Sequence, residues 1–286
     1  MRTVVFATEN GKRFERVLLR DRNRYAGAAA LFEFRVLPGN VGYAALNSFN
    51  DEQIVREFET AYEQIEKTGA LILDLRANPG GSEGNGRRIL AYFFDRPFQT
   101  SIRGTRRNRA SYRAQGQAMD WHVWPQQMLQ PHGKKFLSKP IVVLTSARTG
   151  SAAEDFLVSL EIERRAVIVG EPTGGSAGQP LFISLPGGGS GGICTSASWY
   201  PDGRTFVGTG IQPNIRVRPA VADVRSGRDA ALEAALKHLG EAGTRPGRPG
   251  GSPRRPRTTL LPSQPQAELD LARSSHPQMP RIALSP

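Results

Sequence analysis

Short apolar runs separated by amphipathic segments dominate the middle of the chain. Four of these runs fall at residues 41–46, 70–75, 141–144 and 166–170. Runs of this kind are typical of strands that are buried on both faces of a parallel sheet. After the first run, apolar residues recur at helical spacing, at Ile54, Phe58, Ala61 and Ile65. They predict a helix that packs one face on the sheet.

Weaker patterns complete the predicted architecture. They predict further strands at 3–7, 14–19, 181–185 and 193–200, helices at 87–94 and 228–239, an Asn-Gly turn at 10–11 and a glycine-rich turn at 187–192. Gly240 is expected to end the last helix, because glycine readily adopts the left-handed conformation at helix ends. The alternation of strands and helices predicts an α/β core with right-handed crossovers.

The composition fits a folded core followed by a proline-rich tail. The chain has 286 residues, of which 38% are hydrophobic. That is enough for one large domain or two small ones. No stretch approaches the roughly 18 to 20 apolar residues of a membrane span, and the first residues lack the apolar run of a signal peptide. Residues 241–286 carry nine prolines and predict disorder, although a frameshifted or fused reading frame would give the same pattern.

The formal net charge of +12 raises the question of a nucleic-acid partner. Part of the excess lies in the tail and part in an arginine stretch at 103–113. No zinc-ligand spacing, basic-helix repeat or base-stacking motif accompanies these arginines, so we interpret the stretch as a solvated insertion and expect no nucleic acid. Electrostatic steering of acidic peptides is an alternative role. Cys194 is the only cysteine, and we interpret it as a small buried hydrophobe.

Ser151 stands where the apolar run at 141–144 gives way, through a polar turn, to a predicted helix. Its sequence context is TGSAAEDF. A serine at this position lies in the positive field of the helix N-terminus, where neighbouring N–H groups can bind an oxyanion. It is therefore a candidate nucleophile. The alternative is that Ser151 serves only as the N-cap of the helix.

Several blocks in order resemble the carboxyl-terminal processing peptidases, a serine peptidase family that includes the tricorn core. These blocks are LILDLRANPGGS, TGSAAEDF, VGEPTGG and GIQPNI, within residues 42–239. The resemblance implies the spiral sheet-and-helix fold shared with the ClpP and crotonase groups. It also implies a division into the remnant of a preceding PDZ-like or β-rich module at 1–38, a catalytic core at 39–240 and a disordered tail at 241–286, in an N-terminally truncated chain.

The resemblance assigns catalytic roles to four residues. Ser151 matches the nucleophile, and the backbone N–H groups of Gly80, Gly81 and Ala152 match the oxyanion hole. Glycine suits this role because the backbone must approach the substrate closely. Alternatively, Gly80 and Gly81 only form a tight strand-to-helix turn.

The general base of the family has no clear counterpart. In one branch it is a lysine in the loop that follows VGEPTGG, and Ser176 stands in its place here. The other branch uses a histidine from a segment before the core, and a glutamate where Val207 stands; Asn214 also replaces an aspartate of that branch. His122, between two tryptophans, is the substitute that we name as a candidate base. His132, His238 and His276 lack any motif.

No cofactor and no metal are expected, because no HExxH motif or cysteine pair is present. Asp155 is interpreted as an ordinary helix-start carboxylate, Glu154 as a cap or a hydrogen-bond acceptor near Ser151, and Asp74 with Arg76 as a pair that holds the oxyanion turn. Three functions stay open. They are a serine endopeptidase acting on polypeptides, a non-catalytic peptide-binding remnant, and an acyl-CoA enzyme of the crotonase type.

Overall fold

The computed structural model describes residues 2–8, 10–18, 30–117, 120–126, 128–133, 135 and 137–243. Its strands are β1 (Arg2–Ala7), β2 (Arg13–Leu18), β3 (Phe32–Leu37), β4 (Val41–Leu46), β5 (Ala70–Asp74), β6 (Ile102–Arg106), β7 (Trp121–Val123), β8 (Ile141–Thr145), β9 (Val167–Gly170), β10 (Pro180–Leu185), β11 (Gly189–Cys194), β12 (Ala197–Trp199) and β13 (Ile215–Arg216). Its helices are α1 (Gln53–Glu66), α2 (Glu83–Leu90), α3 (Ala110–Ala114), α4 (Ala152–Ile162), α5 (Val221–Ser226) and α6 (Ala230–Gly243). His276 and nearly all of the tail predicted to be disordered lie outside the described residues.

A six-stranded sheet forms the centre of the fold, in the order β13-β9-β8-β5-β4-β3. Neighbouring strands from β4 to β13 are parallel, and β3 runs antiparallel to β4. The apolar runs form the inner strands, since strands that are covered on both faces need apolar side chains on both. The prediction of an α/β fold is confirmed as a mixed α/β fold around a mixed sheet.

Helices cover both faces of this sheet. On one face Leu73 of β5 packs in a core with Phe58 of α1 and Phe156 of α4. On the other face Ile72 packs in a second core with Ala231 of α6. Successive strand residues point to opposite faces, and each large apolar side chain buried in this way contributes about 2 kcal/mol.

A second sheet has three strands, in the order β12-β6-β7, and β6 contains the first part of the arginine stretch, with Arg103 and Arg106. The predicted insertion is therefore partly regular structure, since β6 and α3 both lie within it. Among the helices of the described part of the chain, none has the length and apolar character needed to cross a membrane.

Four details differ from the prediction. The helix predicted at 87–94 is α2, which begins earlier, at Glu83. Gly187 and Gly188 form the predicted turn, but residues 189–192 continue as β11, because a strand ladder needs only backbone N–H and C=O groups. Gly240 does not end α6, which continues to Gly243. An interior glycine costs a helix only about 1 kcal/mol.

The position of Cys194 is the fourth difference. The residue is exposed, so its interpretation as a buried hydrophobe is wrong. It lies in the two-stranded β10–β11 ribbon, in which every residue of β10 is exposed. The sequence patterns do not predict six elements of the structure, which are β3, β6, β7, β13, α3 and α5. β3 falls in the segment assigned to the preceding module, yet it pairs with β4 in the central sheet.

Candidate active site

The turns that follow β5 and β8 meet at one edge of the central sheet. The two strands are adjacent and parallel, so their carboxyl ends lie side by side, which is where open α/β sheets bind ligands. The hydroxyl of Thr149 donates to the carbonyl of Leu75 at 2.8 Å. The N–H of Gly150 donates to the carbonyl of Asn78 at 3.1 Å. These bonds fix the Ser151 turn against the Asn78-Pro79-Gly80-Gly81 turn.

Ser151 has an unusual backbone conformation. It immediately precedes α4, with φ of 53° and ψ of −124°. Residues other than glycine avoid this region at a cost of about 1 to 3 kcal/mol, and such strain is concentrated at functional sites. The N–H of Glu154 donates to the backbone carbonyl of Ser151 at 2.7 Å, and the N–H of Ser151 donates to the Glu154 carboxylate at 3.0 Å. Ser151 lines an open cleft of about 460 Å³.

Gly80 and Gly81 bring the first turn against Ser151 and the segment before α1. A Cβ atom on Gly80 would lie 2.6 Å from the Cβ of Ser151, and one on Gly81 would lie 2.3 Å from the backbone nitrogen of Asn50. Their φ angles are +105° and +127°. Both positions therefore require glycine for space and for conformation.

The three predicted oxyanion donors have different hydrogen-bonding states. The N–H of Gly80 donates to Oδ1 of Asn78 at 2.9 Å. No acceptor within the described residues receives a hydrogen bond from the N–H of Gly81 or of Ala152. First-turn N–H groups of a helix have no intrahelical partner. Gly81 and Ala152 therefore keep free donors, whereas the N–H of Gly80 is already engaged.

Glu154 joins the start of α4 to the loop that follows β9. Its carboxylate is fully buried and accepts hydrogen bonds from the N–H groups of Ser151, Gly175 and Ser176, at 3.0, 2.7 and 3.0 Å. The hydroxyl of Thr173 is a fourth donor, at 2.5 Å. Burial raises the pKa of Glu154, while these four bonds oppose the rise. The residue thus holds the backbone of Ser151 rather than its hydroxyl.

Arg76 fixes the first turn from the opposite side. Its guanidinium bonds Asp74 at 2.6 Å and Asp229, just before α6, with two bonds of 2.8 Å. The hydroxyl of Ser146 donates to the carbonyl of Arg76 at 2.7 Å, which adds a link to the turn after β8. The expected pairing of Asp74 with Arg76 is present, and Asp229 extends it to the last helix.

Asp155 is a cleft residue whose importance the sequence did not indicate. It lines the cleft with Ser151, is almost fully buried and accepts a hydrogen bond from the hydroxyl of Ser101. Burial, with a smaller effect of the Glu83 charge, raises the pKa of Asp155 to about 7. Its interpretation as an ordinary helix-start carboxylate is therefore wrong. The available signal was its spacing of four residues from Ser151, which places both on one helix face.

The structure does not bring His122 to Ser151. The histidine lies in β7, where its Nδ1 is 3.3 Å from the guanidinium of Arg107 and its ring packs edge-to-face on Trp124. His132 stacks on Tyr92. The residues that line the cleft are Gly81, Ser82, Glu83, Gly84, Arg87, Arg103, Ser151, Asp155, Gly178, Gln179, Pro180 and Ser198. This lining contains no histidine and no lysine.

Ser176, which the resemblance aligns with the lysine of one branch, lies close to the Ser151 turn. Its Oγ would be 2.7 Å from a Cβ atom on Gly150, the residue before Ser151, and its side chain is exposed. The loop at 173–176 thus presents a short hydroxyl side chain next to the Ser151 turn. The described ranges contain no cluster of three or more histidine, cysteine or carboxylate side chains that could hold a metal ion.

Comparison with known proteins shows which family the chain resembles. The profile of peptidase family S41 matches residues 40–217, which is more than half of the chain. A carboxy-terminal-processing protease of Bartonella bacilliformis is 27% identical over 200 residues, covering 68% of this chain and 42% of that protein. A carboxyl-terminal-processing protease of Synechocystis sp. is 30% identical over 210 residues, covering 71% of this chain and 44% of that protein. The chain thus spans less than half the length of these relatives.

Solved structures share the fold. The photosystem II D1 C-terminal processing protease matches with a TM-score of 0.53 and 20% identity, over 81% of this chain and 56% of that one. The tricorn protease matches with a TM-score of 0.52 and 18% identity, over 84% of this chain and 22% of that one. The match to the family profile includes both turns of the site and the strands that carry them. The chain belongs to peptidase family S41.

Proposed function

We propose that the protein is a serine-type peptidase and that Ser151 is its nucleophile. The observation that carries this proposal is the strained backbone of Ser151 at a strand-to-helix turn beside the free N–H groups of Gly81 and Ala152. The Ser151 oxygen would attack a peptide carbonyl, and the two N–H groups would bind the oxyanion that develops. The C–N bond then breaks, the amine leaves with a proton, and water hydrolyses the acyl-enzyme.

The residues that line the cleft do not supply a general base for this reaction. Attack by a serine hydroxyl needs a group to accept its proton. Histidine and lysine are missing from the cleft lining, and a hydroxyl at Ser176 cannot replace a lysine amine. We propose that the base comes from a group beyond the cleft lining. The second candidate, a non-catalytic peptide-binding protein of the same family, is favoured by this same gap.

We also propose that the mixed sheet and its helices form the spiral core shared with the ClpP and crotonase groups. The parallel order β9-β8-β5-β4 with helices on both faces supports this comparison. An acyl-CoA enzyme on such a core is not favoured, because the chain belongs to a peptidase family and fold alone does not determine chemistry.

Labelling with a fluorophosphonate probe tests the proposed nucleophile. We expect labelling of the full chain at Ser151, mapped by mass spectrometry of its peptides, and none in Ser151→Ala. Ser146→Ala is the matched control, because Ser146 lies in the same turn but donates to the carbonyl of Arg76. Failure of Ser151 to label would overturn the catalytic proposal and favour the peptide-binding alternative.

A further inference from the structure

The segment between α2 and β8 builds a second cavity beside the Ser151 cleft. It has a volume of about 280 Å³, and its apolar wall consists of Ile102, Trp124, Pro125 and Leu129. Trp124 is 41% exposed although it is a large aromatic residue. Concave sites with apolar walls and a few polar groups are typical of ligand subsites. The segment between α2 and β8 therefore contributes an apolar wall beside the cleft that Ser151 lines.

Two arginines stand where this cavity joins the cleft. Arg87 and Arg103 line both spaces, and their guanidinium groups converge on the carboxylate of Glu83 at 2.9 and 2.6 Å. Each guanidinium has five N–H donors, so one contact to Glu83 leaves further donors on each. The side chains are 36% and 20% exposed, which leaves part of each accessible to a ligand.

The charges at this junction favour an anion. Besides Glu83, the cleft lining contains one other acidic residue, Asp155. Burial raises the pKa of Asp155 to about 7, which disfavours its ionised form. Arg87 and Arg103 share the single carboxylate of Glu83, so the junction offers two guanidinium groups beside an apolar wall.

We propose that this cavity is a substrate subsite for a carboxylate-bearing residue of a polypeptide. Arg87 and Arg103 bind the carboxylate, and the rest of the residue packs on Ile102 and Trp124. The inference rests on the proposed function, since it assumes that a polypeptide lies in the Ser151 cleft. A glutamate or aspartate side chain and a free C-terminus supply the same chemistry.

Peptide binding to the full chain tests this subsite and separates the two sources. The probes are fluorescent peptides that differ only by glutamate or glutamine at one position, each made as the C-terminal amide and as the free acid. Fluorescence anisotropy is expected to give a Kd about tenfold lower for the glutamate amide at one position, as for a charge-assisted contact. The preference should shrink with added salt. A preference for free acids alone would assign the subsite to the C-terminal carboxylate.

Substitutions assign the preference to the two arginines. Arg103→Gln and Arg87→Gln are expected to abolish the difference in Kd between the glutamate peptide and the glutamine peptide. Arg106→Gln is the matched control, because it removes the same charge from β6, where Arg106 stacks on Trp121 and does not line the cavity. Arg103→Lys, which keeps the charge, should keep part of the preference and replaces Arg103→Gln if that variant does not fold.

Three results would overturn the inference. They are equal affinity for charged and neutral peptides of both kinds, no binding of any peptide, and a preference that survives both arginine substitutions. Fluorophosphonate labelling of the same preparation reports separately on the proposed function. A protein that prefers carboxylates but is not labelled keeps the subsite and loses the catalytic proposal, and a labelled protein without preference gives the reverse.

Discussion

At the scale of single residues, the site depends on how closely two turns approach each other. Ser151 has a strained backbone conformation. Gly80 lies against Ser151, where there is no room for a Cβ atom. Strain of this kind persists only where the surrounding structure enforces it. Here the hydrogen bonds from Thr149 and Gly150 to the first turn provide that constraint.

Gly80→Ala should therefore damage both stability and reactivity. The new Cβ would lie 2.6 Å from the Cβ of Ser151, at a φ of +105°. We expect a loss of more than about 2 kcal/mol in the free energy of unfolding, measured by urea denaturation, and loss of Ser151 labelling. Gly203→Ala is the control, because its φ is +87° but a Cβ there meets no atom within 4 Å. Equal behaviour of the two variants would show that the contact with Ser151 is unimportant.

Asp155→Asn should change how stability depends on pH. The folded-state pKa of about 7 lies above the ordinary value of 3.8, so the contribution of Asp155 to stability is full below about pH 4 and is lost as the pH rises through 7. Asparagine stays neutral and can still accept a hydrogen bond from Ser101. Between pH 5 and pH 8 the variant should gain about 2 kcal/mol relative to the wild type, measured by denaturation at each pH. A difference that does not vary with pH would refute this account of Asp155.

At the scale of elements, the N-terminus of α4 and the loop at 173–176 form one unit through Glu154. The buried carboxylate accepts from Ser151 on the helix side and from Thr173, Gly175 and Ser176 on the loop side. A buried acceptor with all of these donors fixes the spacing of the two segments. Ser176 is consequently held beside the proposed nucleophile.

Ser176→Lys tests whether this loop occupies the position of the base used by the lysine branch. An amine on this exposed residue would lie next to the Ser151 turn, and a general base typically contributes 10² to 10⁴-fold. We expect the labelling rate of Ser151 to increase at least about tenfold, most strongly at alkaline pH, where the amine is deprotonated. Ser176→Met, with a similar length and no amine, should not increase the rate. No gain with lysine would refute the assignment of Ser176 to that position.

At the scale of the whole molecule, Arg76 connects the turn that contains Gly80 and Gly81 to the opposite face of the sheet. The turn follows β5, while Asp229 precedes α6, which packs on the other side of the same sheet. Planar guanidinium groups can bind two carboxylates in fixed geometry. The position of the site therefore depends on the docking of the last helix.

Arg76→Lys should weaken this connection although it keeps the charge. A lysine cannot reproduce the paired bonds to both Asp74 and Asp229, so we expect a loss of about 1 to 3 kcal/mol in the free energy of unfolding. Arg56→Lys, which alters an exposed ion pair with Glu52, is the control and should change little. In a double-mutant cycle, Arg76→Lys with Asp229→Asn should be less than additive. Full additivity would mean that the two residues do not act together.

The sequence predicts the inner strands and the Ser151 turn, because continuous apolar runs, and polar turn residues between a strand and a helix, are local signals. It does not predict contacts between distant segments. Ser101 and Asp155 are 54 positions apart, so neither the burial of Asp155 nor its place in the cleft could be recognised locally. The candidacy of His122 rested on its aromatic neighbours, but pairing of β6 with β7 directs its ring toward Arg107. The proposed oxyanion donors come from the family resemblance, and only the geometry shows that the N–H of Gly80 is engaged with Asn78.

A crystal structure of the full chain after reaction with a peptide phosphonate would test the central claim most directly. We expect phosphorus bonded to Oγ of Ser151, and one phosphonyl oxygen about 2.7 to 3.1 Å from the nitrogens of both Gly81 and Ala152. The phosphonyl group stands in for the tetrahedral oxyanion, so these distances measure the proposed stabilisation. An adduct on another residue would contradict the account. So would a phosphonyl oxygen that accepts no hydrogen bond from Gly81 or Ala152.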